Sequence, residues 1–187
     1  MIEGAFHQRR LRRMERRIQA ARLPVLKILE PFRWDWPKKI NRLQVRHLLG
    51  LEFLAQKANA IFLGTVGLGN THRAIALGYA ACLEDYSVVF PNAMSLINDL
   101  SAARTQGRLK TELEKYLRPQ LLVLDEVGYL PIDQRGADLL FQVISQRCER
   151  GSIVLATRQA EKSQGRSGIR PYQVHGEGVT SFYATIG

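Results

Sequence analysis

Gly64, Gly67 and Gly69, followed by Asn70 and Thr71, have the G-x-x-x-x-G-K-[ST] spacing of a phosphate-wrapping loop, with Asn70 where the lysine belongs. Such a loop works through its main chain. Glycines let successive N–H groups converge on phosphate oxygens, and the helix that follows adds the positive end of its dipole. The run Gly64, Thr65, Val66, Gly67, Leu68, Gly69, Asn70, Thr71 and His72 is therefore expected to hold ATP or ADP, with the Thr71 hydroxyl offered to Mg2+. A second set of reactive residues closes the run "LLVLDE". Four apolar residues put Asp125 at the carboxyl end of a buried strand, where doubly wound folds bind their ligands. Asp125 is expected to hold Mg2+ through water together with Thr71, and Glu126 to polarise an attacking water.

The missing lysine has a price that can be sized. A hydrogen bond to a charged group contributes about 1.5–3 kcal/mol. At about 1.4 kcal/mol per tenfold, its loss weakens triphosphate binding roughly 10- to 100-fold. Hydrolysis should suffer more, because charge moves in the transition state. Arg73 is too close in sequence, and is expected to point elsewhere on the helix, to replace that lysine. His72 sits in the first helical turn with no nucleophile near it in sequence, which suits packing or surface exposure better than a base.

The surrounding pattern is that of an α/β fold. "AIFLG" reads as a strand before the loop and "THRAIALGYAACLE" as a helix after it. "YSVVF", "LLVLD" and "SIVLAT" are further strands, separated by helical material from Asn92 to about Leu117 and by "QRGADLLFQVISQRCERG", which Gly151 stops. Short apolar runs alternating with helices indicate a parallel sheet sandwiched by helices. The P-loop NTPase class follows from the loop and the two acids in that setting. Beyond Thr157 the sequence is rich in Gly, Ser, Arg and Gln, and little order is expected of it, with "YQVHG" at best a weak fifth strand.

Charge is distributed unevenly. The net charge is +10, and residues 1–50 alone carry 13 Lys or Arg against 4 Asp or Glu. "QRRLRRMERRIQAAR" reads as a helix with Leu11, Met14, Ile18 and Ala21 along one stripe. Arg9, Arg10, Arg12, Arg13, Arg16, Arg17 and Arg22 surround it, and Lys38, Lys39, Arg42 and Arg46 follow. No recognition-helix or zinc-finger pattern is present, so sequence-independent contact with a DNA backbone is the expectation. Between them Phe32, Trp34 and Trp36 alternate with charges, an extended segment suited to packing the arm on the core or bordering the adenine pocket, with stacking of Trp34 and Trp36 on bases as the alternative. A second helix is expected from Asn41 to about Gln56. The division expected is a basic arm (1–50), an ATPase core (51–157) and a divergent tail (158–187).

No apolar run approaches the roughly 20 residues a membrane span needs, and the N-terminus lacks the features of a secretory signal. Two cysteines, Cys82 and Cys148, have no metal-ligand spacing and fall in helical patterns. Buried free thiols in a reducing cytoplasm are the expectation.

"RRIQAARLPVLKILEPFRWDWPKKIN", "FLGTVGLGNTHRAIALGYAA" and "LLVLDEVGYLPIDQRGADLLFQVISQRCERGSIVLAT" together resemble the IstB-like ATP-binding proteins, AAA+ helpers of insertion-sequence transposases that are similar in turn to DnaC-type helicase loaders. The resemblance covers roughly residues 9–157. It implies an AAA+ ATPase that binds double-stranded DNA without sequence preference, assembles on it and regulates a partner transposase. Three departures stand out. The family's loop has Lys at the position of Asn70. Its fourth strand ends in T-T-N, whose Asn positions the attacking water, where this chain has Ala156, Thr157 and Arg158. The tail matches the family's arginine-finger region nowhere except for "YQVHGEG", which resembles its last strand. The chain also looks truncated at its N-terminus, which together with these changes suggests a decayed or rearranged copy. Weak nucleotide binding with little turnover is the expectation. A helicase loader of similar fold, or a DNA-binding remnant that no longer uses nucleotide, are the alternatives.

Overall fold

Leu121, Leu122, Val123 and Leu124 are fully buried, yet they alternate between two separate apolar clusters. Successive side chains of a strand point to opposite faces, so a strand buried on both must lie inside a covered sheet. The computed structural model describes residues 2–24, 47–64, 69–127, 132–148, 150–158 and 181–185. Among these, the elements are α1 (Ile2–Ala21), α2 (Glu52–Ala55), β1 (Asn59–Gly64), α3 (Asn70–Leu83), β2 (Val88–Val89), α4 (Ala93–Thr105), α5 (Leu109–Leu117), β3 (Leu121–Val127), α6 (Gln134–Arg147), β4 (Ser152–Arg158) and β5 (Ser181–Thr185). The strands form one sheet in the order β2-β3-β4-β1-β5, with every pairing parallel.

Leu121 and Val123 face the cluster that α1, α2 and α3 cover, together with Phe62, Val154 and Ala156. Leu122 and Leu124 face α4, α5 and α6, together with Ile153. β1 and β3 are separated by β4, so the loop after β1 and the acids after β3 emerge at the same carboxyl edge. This is the α/β parallel-sheet class expected from the sequence. The second strand is shorter than "YSVVF" and the helical stretch after Asn92 divides in two at Gly107, whose φ is 68°.

The basic helix lies on this core. Its burial deepens toward its C-terminus: Leu11 is exposed, Met14 and Ile18 are half-buried and Ala21 is fully buried. Ala21 O accepts a hydrogen bond from Phe90 N at 3.0 Å, tying the helix end to the chain after β2. Leu23 approaches Gly78 of α3 so closely that a Cβ there would stand 3.3 Å from the leucine methyl, so glycine is what lets the two segments meet. On the outside, Arg13 and Arg17 both donate to Asp85, at 3.0 and 2.6 Å, and hold its carboxyl below the usual aspartate value.

Cys82 is buried as expected, and burial pushes its thiol up to about 11. Cys148 corrects the expectation: it is exposed, because α6 ends at Arg147 and the backbone turns to an extended conformation at Cys148. The expected strand at 172–176 lies outside the described residues, as do Phe32, Trp34, Trp36, Lys38, Lys39, Arg42 and Arg46. Among the described residues, no helix is long and apolar enough to cross a membrane.

Candidate functional site

β1 runs out at Gly64 and α3 begins at Asn70. Thr65, Val66, Gly67 and Leu68, the middle of the loop, lie outside the described residues. Its closing residue, Gly69, caps α3 at φ 74°, the left-handed conformation that glycine adopts without penalty. From there the first turn of α3 faces the end of β3. Thr71 Oγ1 donates to Asp125 Oδ1 at 3.1 Å, and the backbone N–H of Glu126 donates to the same oxygen at 2.9 Å. The loop's hydroxyl and the strand's acid, 54 positions apart, are thus in direct contact. Asp125 is buried, and His72, next to Thr71 in sequence, is half-buried on the first turn of α3.

Glu126 departs from ordinary strand geometry. Its φ is 57°, and the β3–β4 register shifts between Leu124 and Val127. A non-glycine residue in this region costs on the order of 1–3 kcal/mol and re-aims its side chain. The Glu126 carboxylate is held by Asn92, whose Nδ2 donates to Oε2. Asn92 lies three residues past β2, bridged to Asp125, and its Oδ1 caps α4 by accepting from Met94 N at 2.9 Å. In the sequence Asn92 reads only as the start of a helix. The signal available is its place three residues past β2, the strand that pairs with the one carrying both acids.

Asn70 turns inward. Its Nδ2 donates to Thr157 O on β4 at 3.0 Å, and its Oδ1 accepts from Arg73 Nη2. Arg73 does not point elsewhere on the helix as expected. Helical side chains lean toward the N-terminus and residues three apart share a face, so a long side chain at 73 folds back along its own turn. Its Nε lies 3.4 Å from Gly69 O, and its guanidinium sits 5.6 Å from the centre of the Phe62 ring on β1. Arg73 is fully buried, and loss of solvent lowers it to about 10, so it stays charged at neutral pH.

Mg2+ prefers oxygen ligands, keeps several waters, and is commonly held by one or two carboxylates plus substrate phosphates. Among the described residues there is no cluster of three or more His, Cys, Asp or Glu that could hold a metal alone. The adjacent Thr71 hydroxyl and Asp125 carboxylate fit a metal of this kind shared with phosphate. Arg158 pairs in register with Gly64, placing its backbone beside the start of the loop. Arg9, Arg10, Arg12, Arg16 and Arg22 are exposed, and Arg13 and Arg17 are engaged by Asp85.

With that geometry, comparison with known proteins is decisive. The model of the family described as IstB-like ATP binding protein matches residues 1–164. The chain belongs to this family. Its curated relatives include a protein named for ATP binding in insertion sequence IS5376 of Geobacillus stearothermophilus, 33% identical over 86% of this chain and 64% of that protein. Another, from insertion sequence IS21 of Pseudomonas aeruginosa, is 38% identical over 84% of this chain and 60% of that protein. The chain therefore spans somewhat under two thirds of these relatives' length. Among solved structures, AMPPCP-bound DnaA from Aquifex aeolicus superposes with a TM-score of 0.62 at 23% identity, covering 73% of this chain and 43% of DnaA. The DnaC helicase loader superposes with a TM-score of 0.56 at 22% identity, covering 65% of this chain and 70% of that one. These likenesses show that this IstB-like chain shares the α/β fold of DnaA and the DnaC loader.

Proposed function

We propose that this IstB-like chain is a nucleotide-dependent, DNA-contacting accessory protein of a transposition system, with hydrolysis impaired in this copy. One observation carries the nucleotide part: the 3.1 Å hydrogen bond from Thr71 to Asp125, which joins the end of the glycine loop to the acid closing β3. In this reading the main chain of residues 64–69 and the first turn of α3 bind the phosphates of ATP or ADP. Thr71 and Asp125 would hold Mg2+, which when bound bridges phosphate oxygens and offsets their charge. Glu126 is the residue placed to orient water, and Asn92 restrains it. Asn70 brings no cation, and Arg158 stands where the family's water-positioning Asn would be, so turnover should be low. The names of the relatives, which tie ATP binding to insertion sequences, support this assignment.

The DNA part rests on α1. Arg13 and Arg17 are committed to Asp85, which leaves Arg9, Arg10, Arg12, Arg16 and Arg22 exposed for phosphates, with Lys38 and Lys39 further along the arm. The arm (1–50), core (51–157) and tail (158–187) divide the work on this reading, with DNA contact in the arm and nucleotide in the core. A transposase is the partner that the insertion-sequence relatives favour over a replicative helicase, and assembly on DNA with further copies belongs to the same proposal.

Titration with a fluorescent ATP analogue, with and without Mg2+, tests the nucleotide site. Saturable binding that Mg2+ strengthens is expected, weaker than that of a lysine-bearing loop by roughly 10- to 100-fold. Absence of saturation at millimolar analogue would refute nucleotide use and leave a DNA-binding remnant.

A further inference from the structure

The loop motif asks for a cation at position 70, and this chain has a neutral amide there. It also has a fully buried arginine three residues later, bonded to that same amide. Burying a guanidinium is expensive unless its surroundings satisfy it. The guanidinium lies between the strand that enters the loop and the helix that leaves it: Phe62 is on β1, two residues before Gly64, and Gly69 is the residue that opens α3. In so dry a place a charge acts over a longer range than in water. Asn70 couples the two. An amide that accepts a charged hydrogen bond at its oxygen becomes a stronger donor at its nitrogen, and the Asn70 nitrogen donates to Thr157 O.

We propose that Arg73 is a positioning residue for the anion site, supplying from behind, through the Asn70 amide, the positive charge that a lysine at position 70 would have supplied directly. This rests on the reading of residues 64–72 as the nucleotide site. Asn70 and Arg73 then form one functional unit, and the charge of the site has moved one turn along α3. The contacts with Phe62 and Gly69 would also serve a purely structural arginine, so the test must separate charge from packing.

Affinity for the fluorescent ATP analogue with Mg2+ is measured for the wild type, Arg73→Gln, Arg73→Lys and the double variant N70K/R73Q, each checked for fold by circular dichroism and thermal melting. Gln keeps an N–H for Asn70 Oδ1 without the charge, and Arg73→Met serves as a second neutral replacement should Gln fail to fold. The neutral variants are expected to bind at least about tenfold more weakly, Lys to stay within about threefold of wild type, and N70K/R73Q to recover the loss, as expected for a single hydrogen-bonded charge. A folded neutral variant within twofold of wild type overturns the proposal, as does a Lys variant as weak as Gln. Binding by N70K/R73Q alone, with none by wild type, overturns it while sparing the nucleotide reading. Binding by no variant at all sinks both.

Discussion

The Asn92 amide accepts from Met94 N and donates to the Glu126 carboxylate, so one side chain both caps α4 and restrains the residue that would orient water. Replacing it with alanine removes a cap, which costs about 1 kcal/mol. It also leaves Glu126 without its Asn92 partner, at a backbone conformation already strained. Asn92→Ala should therefore melt roughly 2–4 °C lower than wild type, and Glu126→Gln, which keeps the cap, should lose less. Equal melting temperatures for wild type and Asn92→Ala would show that the contact contributes nothing. At this scale the sequence was only partly legible. The meeting of Thr71 with Asp125 was legible, because motif spacing brings both to one edge of the sheet. Asn92 and Arg73 were not, because a helix cap and a helical arginine look the same in sequence whether or not they touch a site.

Among the elements, Arg147 is the structural counterpart of Arg73. Fully buried at the end of α6, it donates to the carbonyls of Tyr116 at 2.7 Å, Pro119 at 2.9 Å and Ser152 at 2.8 Å. It thereby satisfies the C-terminus of α5 and the turn into β3, and joins both to β4. Burial lowers it to about 10, still charged at neutral pH. Gly151 is obligatory beside it: a Cβ there would stand 2.7 Å from Arg147 Nη2 and 2.9 Å from Gln120 O. Arg147→Met should cost about 3 kcal/mol by stranding several carbonyls, and Gly151→Ala about 1–3 kcal/mol by overpacking. Urea denaturation checks both, and midpoints unchanged from wild type would contradict the capping role. β1, β3 and β4 were legible as apolar runs, since a doubly covered strand needs no polar face. Arg147 was not, because a cation in the last turn of a helix normally reads as an exposed partner of the helix dipole.

At the level of the whole molecule, the charge excess of residues 1–50 was plain in the sequence, but the docking of α1 was not. Ala21 and Leu23 meet α3 and the chain after β2, so deleting the helix would uncover the core as well as remove its arginines. Neutralising Arg9, Arg10, Arg12 and Arg16 to Gln is the cleaner experiment. If each meets one phosphate, the slope of log affinity for duplex DNA against log salt should be about −3.6 for these four and should vanish in large part in the variant. Unchanged affinity and slope would move the DNA surface elsewhere.

On the proposed reading Thr71 and Asp125 complete a Mg2+-assisted phosphate site, and one substitution reaches that pair. Asp125→Asn keeps an oxygen that can accept from Thr71 and from Glu126 N, while removing the charge a metal needs. ATP-analogue affinity is measured with and without Mg2+ in wild type and Asp125→Asn at matched thermal stability. Mg2+ is expected to strengthen binding in the wild type and to make no difference in the variant. An equal response to Mg2+ in both proteins would rule out a metal role for Asp125.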